Sequence, residues 1–393
     1  MLPSFDLLKQ ANAMRSWLVE IRRSIHKNPE PGLEEYKTAA LVEKLLSELD
    51  IEYERNGTAI VGIVRGTGHG KTVALRADMD ALPIQEENEV EYKSQRPGFM
   101  HACGHDAHTA ILIGAAKLFS GLRSSLAGNI KLFFQPAEES TGGAENMIKD
   151  GCLENPRVDH VLGLHVQPYL PVGKIEIKKG AVNGSSTSLH FFVRGKSCHA
   201  AYPEQGIDAI MIAGHLITAL HSLVSRYVSP LESAVLSIGR INGGSRSNIL
   251  ADEVNMVATL RTSSNSIRDM LVEKVKALAD GISAGFGGTA QINVEYGYIA
   301  LVNDDRVVDI VVDSARQLLG LDSVAWKEKP SMGVEDFSYF ARERPSAFYN
   351  LGCGNPARGI AAVPHSPRFD IDEDCLPIGV AIQAAAALSL LQQ

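Results

Sequence analysis

The stretch "TVALRADMDALP" (residues 72–83) decides the fold. It is an apolar run of strand length that ends in Arg76, Asp78 and Asp80 and then in a proline. A strand apolar on both faces belongs inside a sheet that is covered on both sides. Its charged residues gather towards its carboxyl end, where open α/β sheets place their sites. One segment thus predicts both a buried sheet and the edge of that sheet that carries chemistry.

Three further runs extend the pattern: "TAIVGIVRG" (58–66), "NIKLFFQPAEES" (129–140) and "HVLGLHVQP" (160–168). Residues 108–125 and 142–151 read as helices between them, and residues 4–32 and 33–50 as helical segments before them. Strands alternating with helices predict an α/β sheet, mixed but largely parallel. Near residue 185 the order changes. "TSLHFFVRG" (187–195), "SAVLSIGRING" (233–243), "EVNMVATLRT" (253–262) and "AQINVEYGYI" (290–299) read as strands. Residues 206–226 and 264–287 read as helices, the second capped by Ser264 or Asn265. That β-α-β-β-α-β order is ferredoxin-like. From about residue 299 the α/β pattern resumes. The expectation is a domain of residues 185–298 inserted into one formed by 1–184 and 299–393.

Composition excludes several classes. The chain has 393 residues, 45% apolar and 21% charged, as in ordinary globular proteins. A net charge of −8 without a Lys/Arg run offers no track for a nucleic-acid backbone. The amino-terminal residues lack the basic and apolar regions of a signal peptide, and the apolar runs look too short to span a bilayer. The expectation is a cytoplasmic protein without a nucleic-acid or membrane partner. Its five scattered cysteines do not form a disulfide pattern, so a special cysteine is expected to be a ligand or a reactive thiol.

The strand ends carry ligand-type residues. "KLFFQPAEES" runs into Glu138 and Glu139, and "VLGLHVQP" into His165. "HACGHDAH" (101–108) lies on a loop before a helix, and "AAVPHSPRFD" (361–370) holds His365 between prolines. Cys, His and Glu are the ligands that a Zn²⁺-type ion accepts. Of two adjacent glutamates, one can bind metal and the other can take a proton from water; adjacency does not say which. Taken singly, each motif also fits a surface turn, a cap or a core histidine. Together they converge on one edge of one sheet.

At these residues the chain resembles the M20 metallopeptidase/amidohydrolase superfamily, in the branch of N-acyl-amino-acid, hippurate and indole-3-acetyl-amino-acid hydrolases. The matching stretches run in family order over nearly the whole chain. They include "IRRSIHKNPEPGLEE" (21–35), "VALRADMDALPIQE" (73–86), "PGFMHACGHDAHTAILIGAA" (97–116), "GKSCHAAYPEQGIDAI" (195–210), "GGSRSNILADEVNMVATLRT" (243–262), "MGVEDFSYF" (332–340) and "PHSPRFDIDEDCL" (364–376). The resemblance implies a dinuclear-metal catalytic domain with an inserted ferredoxin-like lid that also dimerises. It implies two divalent ions per subunit (Zn²⁺, Mn²⁺ or Co²⁺), held by Cys103, His105, Glu139, His165 and His365. Glu138 would be the general base, with Asp78 orienting a ligand. His199 and Asn248 of the lid would steady the oxyanion, Glu335 would support the site, and Arg246 or Arg261 would hold the substrate carboxylate. Asp106 and His108 are expected to open or line the following helix, and His101 to be structural or to stand behind a ligand. Arg76 replaces a metal-binding histidine of many M20 peptidases. Cys198 and Glu204 depart from the residues usual beside the lid histidine, which bears on specificity. The implied activity is hydrolysis of a small-molecule N-acyl amino acid. A dipeptidase or carboxypeptidase, an N-acetyl-diaminopimelate deacetylase, a cysteine nucleophile at Cys103 and a catalytically silent binding protein are the alternatives.

Overall fold

The computed structural model describes residues 4–68 and 70–393. In chain order the strands are β1 (Glu52–Asn56), β2 (Ala59–Arg65), β3 (Thr72–Asp78), β4 (Asn129–Gln135), β5 (His160–Pro171), β6 (Ile175–Ile177), β7 (Gly180–Asn183), β8 (Ser185–Arg194), β9 (Ala234–Gly243), β10 (Glu253–Thr262), β11 (Thr289–Tyr296), β12 (Leu301–Asn303), β13 (Val324–Trp326) and β14 (Ser346–Gly354). The helices are α1 (Ser4–Ala13), α2 (Arg15–His26), α3 (Tyr36–Glu48), α4 (His105–Leu122), α5 (Ala144–Lys149), α6 (Ala209–Tyr227), α7 (Asn265–Gly285), α8 (Asp305–Leu319), α9 (Ser338–Glu343) and α10 (Cys375–Leu391).

The chain divides into two compact units. The first is Met1–Gly180 with Val302–Glu328 and Tyr339–Gln393; the second is Ala181–Leu301 with Lys329–Ser338. Residues 329–338 thus group with the inserted segment, although the sequence reading gave them to the outer domain. Backbone hydrogen bonds explain this: Ser331 N–H donates to Val182 O, and Gly184 N–H donates to Ser331 O.

In the first unit eight strands form one mixed sheet, in the order β1-β2-β4-β3-β5-β14-β6-β13. The central four, β4-β3-β5-β14, run parallel. Every residue of β3 is buried, as its doubly apolar sequence requires. Helices α4 and α10 are buried around most of their circumference and pack on each other, which is what helices without a polar face do. The carboxyl ends of β3 and β4 lie side by side, with Asp78 opposite Gln135. On the other side of β3, Arg76 pairs with Gly163 of β5, so His165 stands level with Asp78.

In the second unit the sheet order is β11-β8-β10-β9, with antiparallel pairing throughout. With α6 and α7 crossing between strands, this is the ferredoxin-like topology. Its own core includes Leu189, Phe191, Leu216, Leu220, Met256 and Val275. The N–H groups of Ile210 and Met211 at the start of α6 bond Asp208 Oδ1, whereas Ser264 at the start of α7 makes no side-chain cap. Ser264 thus takes the expected N-cap position without a capping side-chain bond, and Asn265 Oδ1 accepts from Ala300 N–H. Helix α6 is long and apolar enough to cross a membrane, contrary to the expectation that no run reaches that length. Within its unit it is a core helix: Ile212, Leu216, Leu220 and Leu223 form one buried stripe against the sheet.

Candidate metal and catalytic site

The site is assembled at the strand ends of the first unit. After β4, Ala137 takes a positive φ of 60° and turns the chain so that the next two amide groups face Asp80. Glu138 N–H donates to Asp80 Oδ1 at 3.0 Å, and Glu139 N–H to Asp80 Oδ2 at 2.9 Å. One carboxylate thereby holds both glutamates, and its Oδ1 also lies 3.2 Å from His105 Nδ1. The Ala137 N–H is held by Glu35 Oε1 at 2.8 Å.

Gly104 opens α4 at φ 89°, a conformation that disfavours a side chain. A Cβ there would stand 2.3 Å from Val166 Cγ2, so β5 and this turn touch only because residue 104 is glycine. The turn presents Cys103 and His105 to His165, with Cys103 Sγ 3.2 Å from His165 Nε2. His165 Nδ1 donates to Val166 O at 2.8 Å, which leaves Nε2 as the lone-pair nitrogen facing the cysteine. His365 arrives from the far end of the chain at φ 66°, with its N–H on Ala102 O at 2.8 Å. Its Nε2 lies 3.0 Å from Glu139 Oε1.

These residues meet as overlapping sets. The ligand-type atoms of Cys103, His105 and His165 lie within 4.8 Å of one another. The same holds for Cys103, Glu139 and His365, and for His105, Glu138 and Glu139. Cys103 belongs to two of the sets. His105 Nε2 is buried without a hydrogen-bond partner; Asp78 Oδ2 and Glu139 Oε1 stand 3.7 and 4.0 Å away. An orphaned imidazole nitrogen among a thiol, two histidines and two carboxylates is what a divalent ion of the zinc or manganese kind would satisfy.

Beneath the site lies a polar floor. His108 Nε2 accepts from Val166 N–H at 2.9 Å, so its proton is on Nδ1, which donates to Asp78 Oδ1 at 2.6 Å. Asp78 Oδ2 receives Arg76 Nη1 at 2.7 Å. Burial would raise the Asp78 carboxyl, but Arg76, His105 and His108 hold it well below the usual carboxylate range. Burial, with His108 nearby, lowers His165 to about 3, so its imidazole stays neutral. Burial and the neighbouring Glu139 push the Cys103 thiol well up. A divalent cation held there would reverse that preference, because a coordinating thiol is deprotonated. Asp106 bonds Arg22 Nε and His26 Nδ1 in a buried charged cluster, and the ring of His101, kept neutral by burial, lies 6.3 Å from that of His26.

In the second unit His199 and Asn248 lie together. His199 pairs with Ile249 across a bridge, and Ala200 N–H donates to Asn248 O at 3.0 Å. His199 Nδ1 accepts from Ala201 N–H at 3.1 Å, so a neutral ring carries its proton on the exposed Nε2. Glu204 is exposed on a short turn, and Cys198 Sγ contacts Tyr202 O at 3.4 Å. Glu335 accepts from Phe337 N–H at 2.9 Å. Asp80 is the residue of this cluster that sequence reasoning undervalued. It was one of three charges at a strand end, and only the turn at Ala137 reveals what it grips.

Comparison with known proteins extends over the whole chain. The chain is 36% identical to thermostable carboxypeptidase 2 of Saccharolobus solfataricus, over 97% of each. It is 38% identical to IAA-amino acid hydrolase ILR1-like 4 of Arabidopsis thaliana, covering 99% of this chain and 89% of that one. It is 38% identical to N-acetyl-L-cysteine deacetylase of Bacillus subtilis, covering 93% and 86%. Its fold matches the crystal structure of a dinuclear metal binding peptidase of the M20 family from Bacillus subtilis, with TM-score 0.85, 31% identity and 97% and 99% coverage. The model of peptidase family M20/M25/M40 matches residues 74–389, and with the site and fold described above the chain belongs to that family of hydrolases acting on amide and peptide bonds.

Proposed function

We propose that the protein is a cytoplasmic metal-dependent amidohydrolase that cleaves N-acyl amino acids to a carboxylic acid and a free amino acid. The observation that carries this reading is the convergence of Cys103, His105, Glu139, His165 and His365, with Glu138 beside them on the Asp80 clamp. Those five would hold two divalent ions, as the resemblance implies. Such ions lower the pKa of water to about 7 and polarise a carbonyl oxygen.

The chain's own groups do the rest. Glu138, 8% exposed, takes the proton of the attacking water on its carboxylate and returns it to the leaving nitrogen. His199, with Nε2–H free to donate, and Asn248 donate to the developing oxyanion, each worth about 10²–10³ in rate. Asp78 holds the Nδ1 proton of His108 and stands behind His105. Arg246 or Arg261 matches a substrate carboxylate, since a guanidinium offers a two-pronged fork. The second unit serves as lid and pairs two copies into a homodimer.

The names of the plant and Bacillus relatives favour acyl-amino-acid substrates, and the carboxypeptidase relative supports peptide cleavage as the second reading. Apo protein reconstituted in turn with Zn²⁺, Mn²⁺ and Co²⁺, then assayed on acetyl-, benzoyl- and indolylacetyl-amino acids beside dipeptides and acyl-peptides, separates them. Preference for the single-residue conjugates supports the first reading; faster release of a terminal residue from longer peptides replaces it with the second. In the Glu138→Ala variant, bound metal persists and kcat falls about 10²–10⁴-fold. Near-normal turnover in that variant removes Glu138 as the base.

A further inference from the structure

The proposed ligands come from separate parts of the chain, and one buried side chain ties two of those parts together. Arg22, on α2, is 0% exposed. Its Nε donates to Asp106 Oδ2 at 2.8 Å, and its Nη2 to Asp370 Oδ1 at 2.9 Å. Its Nη1 lies 3.3 Å from Glu373 Oε1. Asp106 follows His105 in the first turn of α4, and Asp370 and Glu373 follow His365 on the way into α10. Tyr92 closes the far side: its hydroxyl donates to Asp370 Oδ2 at 2.7 Å, and its ring centre is 4.8 Å from the guanidinium carbon.

A buried ion cluster is a poor source of stability, because taking charges from water costs about as much as their attraction returns. What a guanidinium fork does supply is direction: its donors lie in one plane at fixed angles. Here the fork joins the helix start that carries Cys103 and His105 to the segment that carries His365.

We propose that Arg22 is a positioning residue for the metal centre, its guanidinium setting the start of α4 against the His365 segment through Asp106 and Asp370. The inference rests on the reading of Cys103, His105 and His365 as ligands. Other bonds hold the same segment: Glu87 N–H to Pro367 O at 2.8 Å and Asn88 Nδ2 to Phe369 O at 2.9 Å. With those bonds kept, removing Arg22 is expected to loosen the ligand geometry, and it also costs stability, because it leaves the buried Asp106 without its guanidinium partner.

The test is metal binding by the full chain. Wild type, Arg22→Met, Arg22→Lys and Asp370→Asn are stripped with chelator and titrated with Co²⁺, following heat and the visible spectrum. Leu271→Ala in the core of the second unit is the control for general destabilisation, because Leu271 is 1% exposed and remote in sequence from the ligands. Arg22→Met is expected to bind Co²⁺ about 10–100-fold more weakly, the usual cost of losing a residue that orients ligands, and to show an altered spectrum. Arg22→Lys, with the charge but no fork, falls between, while Leu271→Ala lowers the melting temperature and binds as wild type does. Should Arg22→Met fail to fold, Asp370→Asn carries the test, since it removes the charge from one arm and keeps Arg22 on Asp106. Wild-type affinity in both Arg22→Met and Asp370→Asn overturns the inference, and so does an equal loss in Leu271→Ala. Wild-type protein that takes up no ion overturns the reading of the site itself, which is a separate failure.

Discussion

Asp80 concentrates the most consequence in one residue. Its two oxygens take the amide protons of Glu138 and Glu139, and Oδ1 also faces His105. Replacing it with alanine orphans two backbone donors at once, one of them on a residue that is itself buried. An unsatisfied buried donor costs about 1–3 kcal/mol. It also frees both glutamates and one face of His105. Asp80→Ala is therefore expected to lose about 2–5 kcal/mol by denaturant unfolding of the apo protein, and about 10–100-fold in metal affinity by titration. Unchanged affinity in a folded Asp80→Ala protein contradicts the clamp. Cys103, His105, Glu138, Glu139, His165 and His365 were legible in the sequence as ligand-type residues gathered at strand ends and adjoining loops, and the family resemblance, not their spacing, assigned their roles. Asp80 and Arg22 were not. A carboxylate beside a strand end and an arginine in an amphipathic helix look ordinary until the chain folds. Their partners then prove to be 58 and 59 residues away for Asp80, and 84 and 348 for Arg22.

At the scale of elements, α2 and α4 are joined by more than apolar contact. His26 Nδ1 meets Asp106 Oδ2 at 2.7 Å, and its Nε2 meets Glu86 Oε1 at 3.3 Å. Burial and Arg22 lower the His26 pKa, but the contacts with Asp106 and Glu86 outweigh them, so it stands above the ordinary value of 6.5. A raised folded-state pKa means that the fold prefers the protonated ring. That stability is complete below about pH 6.5 and is lost as the pH rises through the folded value. Glu86 is depressed: burial raises it, but His26 and the Ser94 amide hold it below 4.5. Its contribution is present above about pH 4.5 and is lost as the pH falls through its folded value. The pair thus contributes most between about pH 4.5 and 6.5. For apo protein melted across pH 5–9, the gap in melting temperature between wild type and His26→Gln should narrow as the pH rises. A constant gap shows that His26 does not titrate with folding. Strands β3, β4 and β5 were readable because burial gives each an apolar run, residues 73–75, 132–134 and 161–164. Strand β1 (EYERN) is nearly all exposed, and β6 and β13 have three residues each, so pairing with neighbours rather than composition makes them strands.

At the scale of the molecule, the insertion begins and ends at one place. Thr187 of β8 pairs with Tyr296 of β11, and Ser186 N–H donates to Tyr298 O at 2.9 Å. Strand and helix periodicity disclosed the order β-α-β-β-α-β, and that order largely fixes the strand neighbours. The tie of residues 329–338 to this unit was hidden, because it rests on backbone bonds of Ser331 and Gly184 that any side chain permits. Among the described residues, the core of Leu189, Phe191, Leu216, Leu220, Met256 and Val275 draws on none outside the insertion. A unit of this size with two helices on a four-stranded sheet buries enough apolar surface to fold alone. A fragment of residues 184–298 is expected to melt in one cooperative transition by circular dichroism. The remaining chain, joined across 183 and 299 by a short glycine-serine linker, should still bind metal, because the five proposed ligands lie outside the excised segment. It should not turn over, since His199 and Asn248 leave with the insertion. A fragment without a cooperative transition shows that the insertion depends on residues 329–338 or on the first unit for its stability. Turnover by the shortened chain removes His199 and Asn248 from the mechanism.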